Sequence, residues 1–92
     1  MDRFLIEVPH EEDIVSCAHV VQTFLQTGSH YLTNADWGCE DGDHRAFMIV
    51  EARDRDEARM IVPPPHRDQA KIVLLTKFTP DEIEEILAQH GG

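Results

Sequence analysis

The chain has 92 residues, 41% of them hydrophobic, which fits a single domain with a modest core. Its formal net charge is −10, from 18 acidic and 8 basic residues, and this argues against nucleic acid and anionic membranes as partners. No signal peptide is recognisable and no apolar run approaches the length of a membrane span, so we expect a cytoplasmic protein with reduced cysteines.

The N-terminal third predicts a strand followed by a helix. In DRFLIEVPH, apolar residues occupy both faces of a strand that Pro9 ends. The segment EEDIVSCAHVVQTFLQTG then predicts a helix with an acidic first turn and with Gly28 as its C-terminal stop. Its apolar residues recur at three- and four-residue steps: Ile14, Cys17, Ala18, Val21, Phe24 and Leu25. We expect Cys17 to pack in the core as a small apolar side chain.

Two strands joined by a turn are predicted in the middle of the chain. The segments SHYLTNADW (29–37) and RAFMIVEA (45–52) are rich in aromatic and β-branched residues, and Asp41-Gly42 between them is a hairpin-turn signal. Strand alternation in the first segment places one polar row on a single face, consisting of His30, Asn34 and Asp36 around Leu32.

The remaining segments predict a helix, a strand and a last helix. DRDEARMIV carries a capping box formed by Asp54 and Glu57, and three prolines end it. AKIVLLTKF is a nearly continuous apolar strand, and TPDEIEEILAQHGG is a helix with Thr79 as its N-cap. The order β-α-β-β-α-β-α predicts an α+β, ferredoxin-like βαββαβ domain over residues 1–92, with a four-stranded antiparallel sheet and an extra C-terminal helix.

The first, third and fourth strands are apolar on both faces, and two helices cover only one face of such a sheet. We therefore expect a second copy of the chain to cover the other. RFLIEVPH with its helix, the HYLTNADW…HRAFMIVEA hairpin and DEARMIVPPPHRDQAKIVLLTKF together resemble the dimeric α/β barrel superfamily in topology and hydrophobic pattern. The resemblance implies a homodimer of two facing sheets with a small-molecule pocket in each subunit. Because that superfamily includes isomerase-like enzymes, cofactorless monooxygenases, haem-handling enzymes and metal-binding proteins, the fold leaves the function open.

The polar row on the predicted second strand forms a first candidate site. Glu7 adds a carboxylate within an apolar strand, and His10 follows the end of that strand. Imidazole and carboxylate groups together suit proton transfer, so Glu7, His30 and Asp36 are the predicted catalytic residues. The structural alternative is that the polar row protects the edge of the sheet.

Three further residues are predicted to contact a small-molecule ligand. They are Asn34 on the polar row, Trp37 as a flat pocket wall and Arg67 as a bidentate clamp for an anionic group. The alternatives are packing at the barrel rim or dimer interface for Trp37, and a rigid helix-to-strand connection for the loop that carries Arg67.

A second candidate site holds a transition metal. Its predicted ligands are His10, His30, Cys39 and His44, since imidazole and thiolate suit zinc, nickel or iron. The chain has no CxxC spacing of the kind found in structural zinc sites, and the acidic segment 38–44 also fits a solvated hairpin tip. Acidic neighbours are expected to raise the pKa of Cys39, which argues against a Cys39–His44 nucleophile pair.

Three functions therefore stay open at the level of sequence. The first is a cytoplasmic homodimer that binds a small organic molecule and acts as an isomerase- or monooxygenase-like enzyme. The second is a nickel-, zinc- or iron-binding protein for buffering or sensing, and the third is a non-catalytic interaction module. The chain lacks a Gly-rich phosphate loop, a nucleophile elbow and an HExxH motif, which removes several common enzyme classes.

Overall fold

The computed structural model describes residues 1–27 and 29–92, and the strands of these segments form one antiparallel sheet. The strands are β1 (Asp2–Pro9), β2 (Asp36–Trp37), β3 (Arg45–Ala52) and β4 (Lys71–Leu75), in the spatial order β2-β3-β1-β4. The helices are α1 (Ile14–Gln26), α2 (His30–Thr33), α3 (Arg55–Ile61) and α4 (Pro80–Gln89), and two 3-10 helices span Cys39–Asp41 and Pro64–Gln69. The predicted α+β class with a four-stranded antiparallel sheet is confirmed.

The central strand β1 sets the register of the sheet. Leu5 pairs with Ile49 of β3 and with Val73 of β4. At the end of β1, Pro9 pairs with Arg45, the first residue of β3. Because these two strands are antiparallel, the loop after β1 and the loop before β3 meet at the same end of the sheet. The candidate site lies at this end.

One face of the sheet carries the hydrophobic core. Alternate side chains of a strand point to opposite faces, and those on the core face are buried against Val20 and Phe24 of α1 and Ala58 of α3. The core residues of β1 and β3 are Phe4, Ile6, Val8, Ala46, Met48, Val50 and Ala52. The opposite face, here called the outer face, carries half-buried or exposed side chains: Arg3, Leu5, Glu7, Asp36, Arg45, Phe47, Ile49, Glu51, Lys71, Val73 and Leu75.

The strand predicted over residues 29–37 is wrong for most of its length. Residues His30–Thr33 form α2, and only Asp36–Trp37 joins the sheet as β2. Local hydrogen bonds favour this helical turn, because the Thr33 hydroxyl donates to the Ser29 carbonyl and the Asn34 amide donates to the His30 carbonyl. The buried Leu32 then anchors the turn against the core. The polar row of the sequence prediction therefore does not exist as a strand face.

The helix predicted at 11–28 is shorter in the structure. Its acidic residues Glu11 and Glu12 precede α1 rather than form its first turn, and the predicted stop at Gly28 lies outside the described residues. The Asp13 carboxylate caps the helix by accepting from the Ser16 backbone N–H at 2.8 Å. Ile14, Ala18 and Leu25 are exposed rather than part of the buried stripe, because they lie about 100–140° around the helix from the line through the buried Val20 and Phe24.

The N-caps predicted for the last two helices are present. Asp54 accepts from the Glu57 backbone N–H at 2.8 Å, and Thr79 accepts from that of Glu82 at 3.2 Å. Among the helices of the described segments, none combines the length and the apolar character that crossing a membrane would require.

Candidate metal centre

Two histidines and two cysteines converge where β1 ends and β3 begins; we call His10, Cys17, Cys39 and His44 the His/Cys cluster. His10 directly follows β1 and His44 directly precedes β3, so the Pro9–Arg45 register makes them neighbours. The His10 backbone N–H donates to the His44 carbonyl at 3.1 Å. Cys17 comes from the first turns of α1, and Cys39 begins the first 3-10 helix. The cluster thus joins three separate elements of the fold.

The loop 38–44 presents Cys39 and His44 in a closed, hydrogen-bonded conformation. The backbone N–H groups of Asp41 and Asp43 both donate to the Gly38 carbonyl at 3.0 Å, and Gly42 adopts a left-handed φ of 81°. A Cβ at Gly38 would lie 2.6 Å from the Asp43 carbonyl oxygen, so this closure requires glycine. The turn predicted at Asp41-Gly42 is present, but the loop is more than a solvated tip because it carries two members of the cluster.

The ligand atoms of His10, Cys39 and His44 are close enough to share one ion, and Cys17 contacts Cys39. Cys39 Sγ lies 3.1 Å from His10 Nε2 and 3.2 Å from Cys17 Sγ, and both cysteines are free thiols. The ligand atoms of His10, Cys39 and His44 all lie within 4.8 Å of one another. Tetrahedral zinc, with Zn–S near 2.3 Å and Zn–N near 2.0–2.1 Å, would separate neighbouring ligand atoms by about 3.5–3.8 Å. An expansion of about half an ångström would bring the two short contacts of Cys39 to these separations, whereas Cys17 is not in the group whose ligand atoms all lie within 4.8 Å of one another.

Burial perturbs two members of the cluster in opposite directions. Burial lowers the pKa of His10, and the nearby His44 and His66 lower it further because they disfavour a second positive charge. Burial also raises the pKa of the Cys39 thiol, to which the adjacent Cys17 thiol contributes. The Nδ1 atoms of His10 and His44 are buried without a hydrogen-bond partner in the described part of the chain. The cluster therefore combines a His10 whose pKa is lowered with two imidazole nitrogens that lack a partner, and the neutral imidazole is the form that binds metals.

An aromatic side chain packs against His10, and a cleft opens beside the same residue. The Trp37 ring stands edge-on to the His10 ring, with centroids 5.7 Å apart, and also packs on Phe24 at 5.0 Å. The open cleft has a volume of about 830 Å³, and His10 and His66 lie in its wall. Its rim is acidic, formed by Glu11, Glu12 and Asp13.

An ion-pair network holds the loop from the outer face. The Arg45 guanidinium donates to both carboxylate oxygens of Asp43, at 2.7 and 2.5 Å, and lies 3.2 Å from the Glu7 carboxylate. These hydrogen bonds lower the pKa of Asp43 and raise that of Arg45. Arg45 also stacks over the Phe47 ring at 4.9 Å. The network ties the last residues of the loop to β1 and β3.

The structure brings together three of the four predicted metal ligands, His10, Cys39 and His44, and leaves the fourth elsewhere. His30 is exposed on α2, where its ring packs against Tyr31. Metal binding at this site stays a prediction. In the structure, His30 lies apart from the other predicted ligands, and Cys17 contacts Cys39.

The predicted catalytic residues are not gathered around one reaction centre. His30 and Asp36 line a small outer cleft of about 250 Å³ together with Asn34, but Glu7 is not among the residues that line it. Glu7 is instead the partner of Arg45, with 16% of its side chain exposed. Asn34 uses its amide to bond the His30 carbonyl at 2.8 Å, which completes α2.

The two other predicted ligand contacts have different surroundings. Trp37 is a wall of the His/Cys cluster rather than of the outer cleft. The Arg67 guanidinium donates to the Val62 carbonyl at 2.7 Å and to the Met60 carbonyl at 3.0 Å, at the C-terminal end of α3. Arg67 therefore fits the alternative of a rigid helix-to-strand connection.

Two residues near the site, Cys17 and His66, were not among the predicted site residues. Cys17 was expected in the core, but it is half-buried and contacts Cys39; His66 flanks His10 in the cleft. The sequence signal for Cys17 is its position seven residues after His10. The short connection from β1 to α1 brings the first turns of α1 back beside the end of β1.

Comparison of the chain with protein families, curated proteins and solved structures finds no match.

Proposed function

We propose that this protein binds a divalent transition metal through His10, Cys39 and His44, with Cys17 as the fourth ligand. The observation that carries the proposal is the convergence of two thiols and two imidazoles from three elements, with Sγ–Sγ and Sγ–Nε2 distances near 3 Å. A Cys2His2 donor set suits zinc, and it also accommodates nickel, iron or cobalt. Buffering or sensing of such a metal is the function that this site supports best.

The surroundings of the cluster suit the capture of a cation. The acidic rim of the cleft raises the local concentration of divalent ions beside His10. The unsatisfied Nδ1 atoms gain a partner if they coordinate the metal or if a water molecule enters with it. Binding also converts the buried Cys39 thiol to a thiolate, so metal uptake releases protons.

The test is metal analysis of untagged protein, followed by cobalt substitution. We expect close to one equivalent of zinc, nickel or iron after incubation and dialysis. Cobalt should produce a sulfur-to-metal charge-transfer band together with the visible bands of a tetrahedral site. Less than a tenth of an equivalent of every metal tried would refute the proposal.

Matched variants distinguish the cluster from other histidines. Cys39→Ser and His44→Gln should weaken zinc binding by more than about 100-fold, because loss of a ligand exceeds the 10–100-fold effect of losing an outer partner. His30→Gln and His90→Gln remove exposed imidazoles and should leave the affinity unchanged. Equal losses in all four variants would show that binding is adventitious.

The cleft beside His10 supports a second candidate function, binding of a small organic molecule. A volume of about 830 Å³ falls in the range of small-molecule sites, and its wall combines Pro9, Val20 and Pro65 with histidine and acidic groups. The acidic rim favours neutral or cationic compounds over anions. Screening by NMR should shift the resonances of Ser16, His66 and Gln69; shifts confined to residues around His30 would instead indicate the small outer cleft.

We further propose that the domain is ferredoxin-like and pairs with a second copy of itself in the cytoplasm. The order β2-β3-β1-β4, with α1 between β1 and β2 and α3 between β3 and β4, supports the ferredoxin-like assignment. Apolar side chains on the outer face, among them Ile49, support the pairing. The resemblance to dimeric α/β barrels would place the two outer faces against each other.

A further inference from the structure

The C-terminal segment is a helix without a packing partner. Every residue from Thr76 to Gly92 is exposed, although α4 carries Ile83, Ile86 and Leu87 at the three- and four-residue steps of one stripe. Phe78, just before the helix, is 62% exposed. An isolated helix shorter than about 12–15 residues is marginal in water, and α4 has only 10. The helix therefore requires an apolar surface to pack against.

The shape of the chain shows that α4 projects away from the sheet. The radius of gyration is 16.6 Å and the longest dimension is 53 Å. A compact domain of this length would have a radius of gyration of about 12 Å. The apolar stripe of α4 thus lies away from the core of its own chain.

The outer face of the sheet presents a matching apolar row. Ile49, Leu5 and Val73 are cross-strand neighbours on this face, and Ile49 is 57% exposed. Phe47 and Leu75 lie in the two neighbouring rows, one on each side. Three strands about 4.8 Å apart present a surface roughly as wide as the 15 Å length of a ten-residue helix.

The charges flanking this row complement those of α4. The helix carries four carboxylates, on Asp81, Glu82, Glu84 and Glu85. On the outer face, Arg3 and Lys71 lie one row to either side of Leu5 and Val73. The acidic side chains of this face either lie toward the other edge, as Asp36 and Glu51 do, or pair with Arg45, as Glu7 does. An acidic helix therefore fits best across β1 and β4.

We propose that α4 of one copy packs on the outer face of a second copy, in a reciprocal exchange. Each chain has one unpartnered helix and one uncovered sheet face. In a two-fold dimer, each helix packs on the partner's face, so both helices and both faces are covered. This inference rests on the pairing of two copies proposed above. It differs from the facing-sheet arrangement because a helix, rather than the partner's sheet, covers the outer face.

Light scattering coupled to size exclusion tests the exchange on the full chain. Wild type should be a dimer, and Ile86→Lys and Ile49→Lys should each raise the dimer dissociation constant by roughly 100-fold or more, because each removes two buried isoleucines per dimer. Ala88→Lys, on the opposite side of α4, should leave the dimer intact. Both mutated isoleucines are exposed in the single chain, and circular dichroism checks that the variants remain folded.

Mixing the two disrupted variants distinguishes exchange from other dimers. In the mixture, the intact helix of the Ile49→Lys copy meets the intact face of the Ile86→Lys copy, so a heterodimer should form where neither variant pairs alone. A monomeric wild type would overturn both the inference and the proposed pairing. A dimer that tolerates Ile86→Lys, or a mixture that stays monomeric, would overturn the exchange alone.

Discussion

Substitution of Gly38 tests whether the loop 38–44 holds the cluster in place. In Gly38→Ala, the new Cβ would lie 2.6 Å from the Asp43 carbonyl oxygen and 3.0 Å from Asp43 Cβ. An unstrained contact needs about 3.4 Å, so the two sides of the loop must separate by about 0.8 Å. Metal sites hold their ligand distances to about 0.2 Å, and Cys39 and His44 lie within the loop that must move.

We expect Gly38→Ala to weaken metal binding strongly while the protein remains folded. Overpacking of this kind costs about 1–3 kcal/mol, which lowers the melting temperature of a domain this size by about 4–8 °C per kcal/mol. Zinc affinity should fall by about 10–100-fold, as it does when a residue that orients a ligand is changed. Zinc affinity is measured by competition with a chromophoric chelator, at a temperature where both the wild type and Gly38→Ala are folded.

The control is Glu40→Ala, which introduces alanine at an exposed position next to Cys39 without adding an atom near the Asp43 carbonyl. It should retain wild-type zinc affinity and the wild-type cobalt spectrum. If Gly38→Ala also retains both, the loop does not hold the ligands and the role assigned to its closure is wrong.

Three other predictions follow from the same contacts. Cys17→Ser should weaken zinc binding by more than about 100-fold, as loss of a ligand does, and reduce the intensity of the cobalt–sulfur band by about half; an unchanged band would exclude Cys17 as a ligand. The lowered pKa of His10 means that the unfolded chain binds more protons, so the metal-free protein should lose stability as the pH falls from 7.5 to 5.5; urea unfolding of His10→Phe should show a shallower pH slope. Arg67→Ala should lower the free energy of unfolding by about 1–3 kcal/mol through loss of its bonds to the Val62 and Met60 carbonyls, and unchanged stability would contradict this structural role.

Local sequence signals were sufficient for β3 and for two helix caps. The residues of β3 were predicted without error, because alternation and flanking turn residues both mark its ends. The caps at Asp54 and Thr79 were likewise readable, since a capping hydrogen bond spans only three residues. The same local reasoning failed at His30–Thr33, where aromatic and β-branched residues suggested a strand. Side-chain bonds to the backbone and the burial of Leu32 favoured a helical turn instead.

By itself, the sequence determined the α+β class, the antiparallel four-stranded sheet and the residue types available for chemistry. It also indicated His10, His30, Cys39 and His44 as candidate metal ligands, from the chemistry of their side chains. Only the tertiary structure placed Cys17 beside Cys39 and separated His30 from the other three, since contacts between residues 10, 17, 39 and 44 depend on the β1–β3 register and the packing of α1. It likewise separated Glu7 from His30 and left α4 exposed, because packing between distant segments has no signature in local spacing.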